Sequence, residues 1–209
     1  MAHDLNVIQN TGITEPKELF EFARNELVTG VKKSNHPFHL CTLATINTQN
    51  APELRTVVSR HVESSLESII IHSDKRSSKN EQINLNPNVS LLYYSFLQRF
   101  QIRLTGVAEV IHNGDENTRR FLESSPHAQV CYAYPNAPGT DINIPTKEGL
   151  NPEINVKQID AIKDVAHSNF SHIKTTIKTI DLLWLNKKGH VRVFGEKDNG
   201  DWLFKFIVA

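Results

Sequence analysis

A chain of 209 residues with 23 basic and 23 acidic side chains has no formal net charge, which argues against nucleic acid or an anionic membrane as partner. No apolar run approaches the length of a membrane-crossing helix, and Met1-Ala-His-Asp-Leu5 lacks the charged and apolar pattern of a signal peptide, so a cytoplasmic protein is expected. Two cysteines, Cys41 and Cys131, lie far apart without CxxC or metal spacing and are expected to be reduced and buried, with no metal site.

The length suits one domain over residues 1–209 whose partner is a small molecule or another subunit. Glu15-Pro16 opens an amphipathic helix over 15–33, with Leu19, Phe20, Ala23, Leu27 and Val31 at helical spacing. From Phe38 to Thr45 the side chains alternate as in a strand, and a turn at Asn47 to Asn50 folds the chain onto a second strand, Leu54 to Arg60. His36 and His39 do not form a metal pair, because Pro37 breaks the helix that would align them.

The second strand carries Arg55 and Arg60 around the β-branched Thr56-Val57-Val58. Five positions apart, the two arginines point to opposite faces of an ideal strand. A bulge, or a ligand lying across the strand end, is needed for both to touch one molecule. Another apolar strand, Ser68 to Ser73, then leads into a helix that begins with Ser78-Lys79-Asn80-Glu81 in capping-box spacing and stops near Asn86-Pro87. A helix start offers unpaired N–H groups and the positive end of the macrodipole, so Ser77, Ser78 and Lys79 stand where a phosphate is favoured. The alternative is a capped surface helix with solvated cations.

Asn88 to Ser95 and Arg99 to Glu109 form a long hairpin. In order and spacing, Arg55 to Arg60, His72-Ser73, Ser77 to Lys79, the Asn86-Pro87-Asn88-Val89 turn and Gln101 with Gly106 resemble the pyridoxamine 5'-phosphate oxidase family of FMN-binding split barrels. The resemblance runs from about Phe38 to Gly139, and more weakly over the C-terminal strands. It implies a mainly β fold, a six-stranded antiparallel split barrel with flanking helices. It also implies a homodimer with FMN in the interface, each site borrowing residues from both chains.

By the same resemblance Arg55, Thr56, Val57, Val58 and Arg60 lie along the flavin and its phosphate tail. His72 and Ser73 stand at the flavin, Ser77, Ser78 and Lys79 at the phosphate, and Gln101 at the isoalloxazine ring. Ser78 replaces a basic phosphate ligand common in the family. The amide of Gln101 both donates and accepts, as the pyrimidine edge requires; its other reading is a polar side chain on a solvent-facing strand.

Downstream, a helix over 115–124 carries the solvated Arg119 and Arg120, and a Pro138-Gly139 turn resembles a loop that approaches the flavin of the facing subunit. A polar flap is expected over 140–152, then an amphipathic helix from Pro152 to about His172 with Ile159, Ile162, Val165 and Ala166. Three short strands close the chain: Lys178 to Leu185, His190 to Glu196 and Trp202 to Val208.

Trp184 and Arg192 match a tryptophan and an arginine that contact FMN in the family, with the core as the other reading for Trp184. Of the residues that hold substrate phosphate in the family's oxidases, Arg60 replaces a lysine, while Phe121, Ser125 and Gln129 occupy the positions of a tyrosine, an arginine and a serine. His190 stands in a rearranged pair with Arg192, as a substrate or flavin group or as a surface residue.

Gln129 and His190 are therefore the substrate candidates. The expected activity is that of an FMN-dependent oxidoreductase with a substrate other than pyridoxamine 5'-phosphate. Three alternatives stay open: a genuine pyridoxamine or pyridoxine 5'-phosphate oxidase, a non-enzymatic flavin- or haem-binding protein, and a plain β-barrel interaction module.

Overall fold

A computed structural model describes residues 12–141, 159–187 and 189–209. Helix α1 (Pro16–Lys32) begins on a proline, where the missing N–H costs nothing, and buries Leu19, Phe20, Ala23 and Leu27. Strands β1 (Leu40–Ile46), β2 (Pro52–Val62) and β3 (Ser68–Asp74) follow, then helix α2 (Ser78–Leu85) and the hairpin β4 (Asn88–Ser95) and β5 (Phe100–Ile111). Two short helices, α3 (Gly114–Glu123) and α4 (Pro126–Val130), precede α5 (Ile159–Asn169) and strands β6 (Phe170–Trp184), β7 (Val191–Asp198) and β8 (Asp201–Phe206).

The strands are joined in the order β3-β2-β1-β4-β5-β6-β7-β8, and an added β3–β6 pairing closes the first six into the expected antiparallel barrel. Strand β6 serves two partners in turn. Its residues Phe170 to Thr176 pair with β3, and Thr179 to Trp184 pair with β7, which carries β8 outside the ring.

Inward-facing Leu43, Ile69, Ile71, Leu91, Tyr93, Phe100, Ile102, Leu104, Ile173 and Leu182 fill the barrel, and α1 covers one end. Each such aliphatic or aromatic side chain stabilises the fold by about 1.5–3 kcal/mol. His36 and His39 help to seat that helix: His36 Nε2 lies 3.6 Å from Glu26, and His39 Nδ1 bonds the Gly30 carbonyl at 2.8 Å.

Gly106 sits where the β5–β6 register shifts, and a Cβ there would lie 2.1 Å from the Thr176 carbonyl oxygen. Gly106→Ala is expected to lower the unfolding free energy by about 1–3 kcal/mol, read as a lower urea midpoint at unchanged slope.

Three expectations need correction. The helix expected to run to His172 ends at Asn169, and residues from Phe170 onward form the start of β6, because that segment is hydrogen-bonded on both sides, to β3 and to β5. Ser77, not Ser78, is the N-cap of α2, and its hydroxyl accepts from Lys79 Nζ at 2.7 Å instead of capping the helix. Residues 126–130 form a short helix with Ser125 as its side-chain cap. Cys41 is buried, but Cys131, at the end of that helix, is exposed. All but the first two residues of the flap expected over 140–152 lie outside the described residues. Among the described residues no helix is long and apolar enough to cross a membrane.

Candidate functional site: a cation cluster at an open strand edge

The site begins with an interrupted strand pairing. β3 pairs with β2 only at Ser59, His61 and Val62, and the register shifts between Ser59 and His61. Arg60 is thus the extra residue of a bulge, with Arg60 and His61 both exposed between buried Ser59 and Val62. The bulge does not bring Arg60 to the face of Arg55, since Arg55 lies in phase with inward Val57 and Ser59. The interrupted pairing has a larger effect. From Pro52 to Val58 the β3-side edge of β2 has no strand partner among the described residues, so a ligand along that edge meets backbone polar groups and reaches side chains of both faces.

The start of α2 is fixed by Asp74 at the end of β3. Its carboxylate accepts from Arg76 Nε at 2.9 Å and from the Arg76 guanidinium again at 2.7 Å, and its carbonyl accepts from Asn80 Nδ2 at 2.8 Å. Arg76 also donates to the Tyr134 and Pro135 carbonyls, which ties the loop after α4 to this turn. With Ser77 Oγ taken by Lys79, the first turn of α2 has no side-chain cap. It borders a groove of about 560 Å³ lined by Lys75, Ser77, Ser78, Asn80 and His112.

Arg55 meets this helix from the barrel mouth. It donates to Thr45 Oγ1, to Gln82 Oε1 at 3.0 Å and to Glu53 Oε2 at 3.2 Å. Burial lowers the Lys79 pKa, the nearby Arg55 cation lowers it further, and Asp74 offsets part of the shift. Lys79 and the Ser77 hydroxyl thus stand at an uncapped helix N-terminus while Arg55 reaches the same helix one turn on, at Gln82, and this donor set fits a phosphate monoester such as that of FMN.

The outer face of the barrel holds a second group. Thr56, Thr42, Leu92, Arg103, Asp181 and Phe194 form one cross-strand row over β2, β1, β4, β5, β6 and β7. Tyr94, Gln101, Leu183 and Arg192 form the next over β4 to β7. Arg192 donates to both carboxylate oxygens of Asp181, at 3.0 and 2.8 Å, and Arg103 donates to the same carboxylate. Burial pushes the Asp181 pKa up, but these hydrogen bonds outweigh it and hold the carboxyl below its usual range. A cavity of about 320 Å³ opens here beside Thr42, Leu54, Ser90, Leu92, Arg103 and Asp181, and Leu40, Leu54, Leu92 and Tyr94 stand exposed around it.

The sequence candidates therefore separate. Arg55, Ser77 and Lys79 come together, with Ser78 exposed in the adjoining groove. Thr56 and half-buried Val58 face outward on the open-edged stretch of β2, and Val57 faces the core. Half-buried His72 packs its ring edge-on against Phe170 at 4.9 Å and sets Nδ1 3.3 Å from Ser124 Oγ. Burial, then Arg60, His172 and Arg120, pull its pKa down to about 3. Ser73 is buried, with its hydroxyl on the Asp74 carbonyl.

Trp184, 6 % exposed, packs in the barrel core. Gln129 is buried and donates its amide to the Phe121 and Ser124 carbonyls, which makes it a clamp between α3 and α4. Phe121 is buried in a satellite cluster with Tyr132, Ala166 and Phe170. His190 is exposed, and its Nδ1 accepts from the Asn186 N–H at 3.2 Å. The sequence reading missed Glu53, Thr45 and Gln82 around Arg55, and Arg103 with Asp181 beside Arg192. Strand alternation gave a usable signal for Arg103 alone, two residues after Gln101 on the same face.

The closed six-stranded antiparallel barrel with flanking helices is a split-barrel fold. Residues 21–112 match the family model of the pyridoxamine 5'-phosphate oxidase, FMN-binding domain. Among curated proteins none matches the chain.

Among solved structures, it resembles a pyridoxamine 5'-phosphate oxidase-related FMN-binding protein of Nostoc punctiforme, with a TM-score of 0.70 and 21 % identity over 96 % of this chain and 100 % of that one. PhzG of Burkholderia lata, solved with tetrahydrophenazine-1-carboxylic acid, matches with a TM-score of 0.67 and 15 % identity over 97 % and 96 % of the two chains. A general stress protein 26-related protein of Clostridium acetobutylicum matches at 0.52 and 10 % identity, over 92 % and 96 %. At these identities the likeness establishes the fold.

Proposed function

We propose that this protein is a cytoplasmic, single-domain, FMN-dependent oxidoreductase, a homodimer whose substrate is not pyridoxamine 5'-phosphate. The observation that carries the reading is the pairing of Lys79 with Ser77 at the uncapped start of α2, with Arg55 on the same helix at Gln82, beside the open edge of β2. These groups hold the flavin phosphate, Ser78 adds a hydroxyl, and the ribityl chain and ring run along Thr56-Val57-Val58 toward Arg60 and His72. FMN supplies the two-electron chemistry when bound; the chain's residues bind, orient and tune it.

A second copy completes the site. Gln101 lies three strands from β2, about 14 Å at ordinary strand spacing, on the exposed apolar face that also carries Arg192. An isologous contact through that face brings Gln101 and Arg192 of one protomer to the flavin of its partner. Arg60 or Arg192 then stabilises negative charge on the reduced ring.

The substrate assignment rests on what replaces the family's phosphate pocket. Phe121 is buried, Ser125 caps α4, and the Gln129 amide is committed to two carbonyls, which leaves Arg60 as the cation for a substrate anion. Purified protein is expected to bind one FMN per chain, to sediment as a dimer, and to turn over no pyridoxamine 5'-phosphate in air, measured as peroxide release. Peroxide formed with that substrate overturns the substrate assignment, and a failure to bind FMN at micromolar concentration overturns the flavin reading.

A further inference from the structure

We propose that Glu53 is a specificity-determining residue of the flavin site: its carboxylate holds the Arg55 guanidinium and so competes with the phosphate that distinguishes FMN from riboflavin. The inference rests on the flavin reading above and concerns how strongly that site selects a phosphate.

Hydrogen-bond accounting around Arg55 carries it. One terminal nitrogen donates to Thr45 Oγ1 and lies within reach of the Leu43 carbonyl at 3.4 Å and the Glu53 carbonyl at 3.3 Å. The other donates to Glu53 Oε2 at 3.2 Å and to Gln82 Oε1 at 3.0 Å. Both terminal nitrogens are thus engaged, and a bidentate grip on a phosphate requires that acceptors be exchanged.

Of these acceptors Glu53 alone carries a charge and sits on a partly exposed side chain, at 42 % exposure. It is also held in place. Asn47 Nδ2 donates to Oε1 at 3.0 Å and Gln82 Nε2 to Oε2 at 2.8 Å, and these two bonds, with Arg55 behind them, keep the carboxyl ionised by lowering its pKa. The remaining cation, Lys79, is bonded to the neutral Ser77 hydroxyl. An arriving phosphate therefore meets one cation without a bonded carboxylate and one already matched by a carboxylate that repels it. Phosphate selectivity then rests on Lys79 and the helix start, and Glu53 sets how much Arg55 adds.

The test measures FMN and riboflavin dissociation constants by flavin fluorescence for the wild type, Glu53→Gln and Glu53→Ala. Glu53→Gln keeps the shape and most hydrogen bonds while removing the charge, and it is expected to tighten FMN binding about fivefold with riboflavin unchanged. Glu53→Ala must shift FMN in the same direction. FMN binding weakened in both variants overturns the proposal and makes Glu53 a support for Arg55, and equal shifts for the two flavins overturn it as well. A wild type that binds neither flavin overturns the flavin reading itself, a result distinct from either.

Discussion

Lys79→Met should weaken FMN binding by about thirtyfold or more, leave riboflavin binding within about twofold, and leave the flavin-free protein as stable as before or slightly more so. A hydrogen bond between an ammonium and a phosphate is worth about 1.5–3 kcal/mol, which converts to about ten- to hundredfold in affinity. The stability half follows from the direction of the Lys79 pKa, lowered first by burial and then by Arg55. A folded-state pKa below the unfolded value means that the cation is less favourable in the fold than in water, so its removal relieves the flavin-free protein. Methionine keeps the apolar stem. Equal losses for FMN and riboflavin, or a lower melting temperature without flavin, would show that Lys79 supports structure and does not grip phosphate.

Acid should destabilise the flavin-free protein well before its carboxylates titrate, through His72 and His172. These residues face each other across the β3–β6 pairing. His172 is fully buried, with Nδ1 3.0 Å from Asn117 Oδ1 and Nε2 without a partner among the described residues. Burial, then Arg120, with Glu116 opposing, take its pKa down to about 4, and that of His72 lies at about 3. Both folded-state values lie below the unfolded one, so each histidine's contribution is fully present above about pH 6.5. It is lost as pH falls toward about 4 and about 3, because the unfolded chain takes up the protons first.

By pH 5 the loss amounts to on the order of 2 kcal/mol for each histidine. Urea unfolding at pH 7 and pH 5 measures it, and His72→Phe should remove about half of the difference. A pH dependence unchanged by that substitution would place the acid sensitivity elsewhere.

How much was legible in the sequence depended on how local the determining interactions are. Helix α1 declares itself through Pro16 and the spacing of Leu19, Phe20, Ala23 and Leu27, and the β4–β5 hairpin through alternation alone. The first half of β6 did not, because Phe170, Ile173 and Ile177 fall at spacings that also suit a helix, while the partners that make it a strand come from β3 and β5. At the site, the cations around Arg55 and Lys79 could be placed by motif. Their neighbours could not: Thr45, Glu53 and Gln82 meet only when β1, β2 and α2 converge, with Thr45 and Gln82 separated by 37 positions. The orientation of Trp184 depended on a register opposite Phe100 and Val191 that periodicity does not supply, and the register turned it inward.

Ring closure has a kinetic consequence. The hairpins β1–β2, β4–β5 and β7–β8 join neighbours in sequence, whereas the last seam brings together Ser73 and Ser171, 98 positions apart. Such non-local joins bear the larger loop-closure entropy and so form late. The Ser171 hydroxyl donates to the Ser73 carbonyl and accepts from Asn80 Nδ2 at the start of α2. The N-terminal end of that helix is thus pinned by the final zipping step. A refolding chain should gain affinity for a phosphorylated flavin only as this seam shuts, and the ligand, once bound, should slow its reopening.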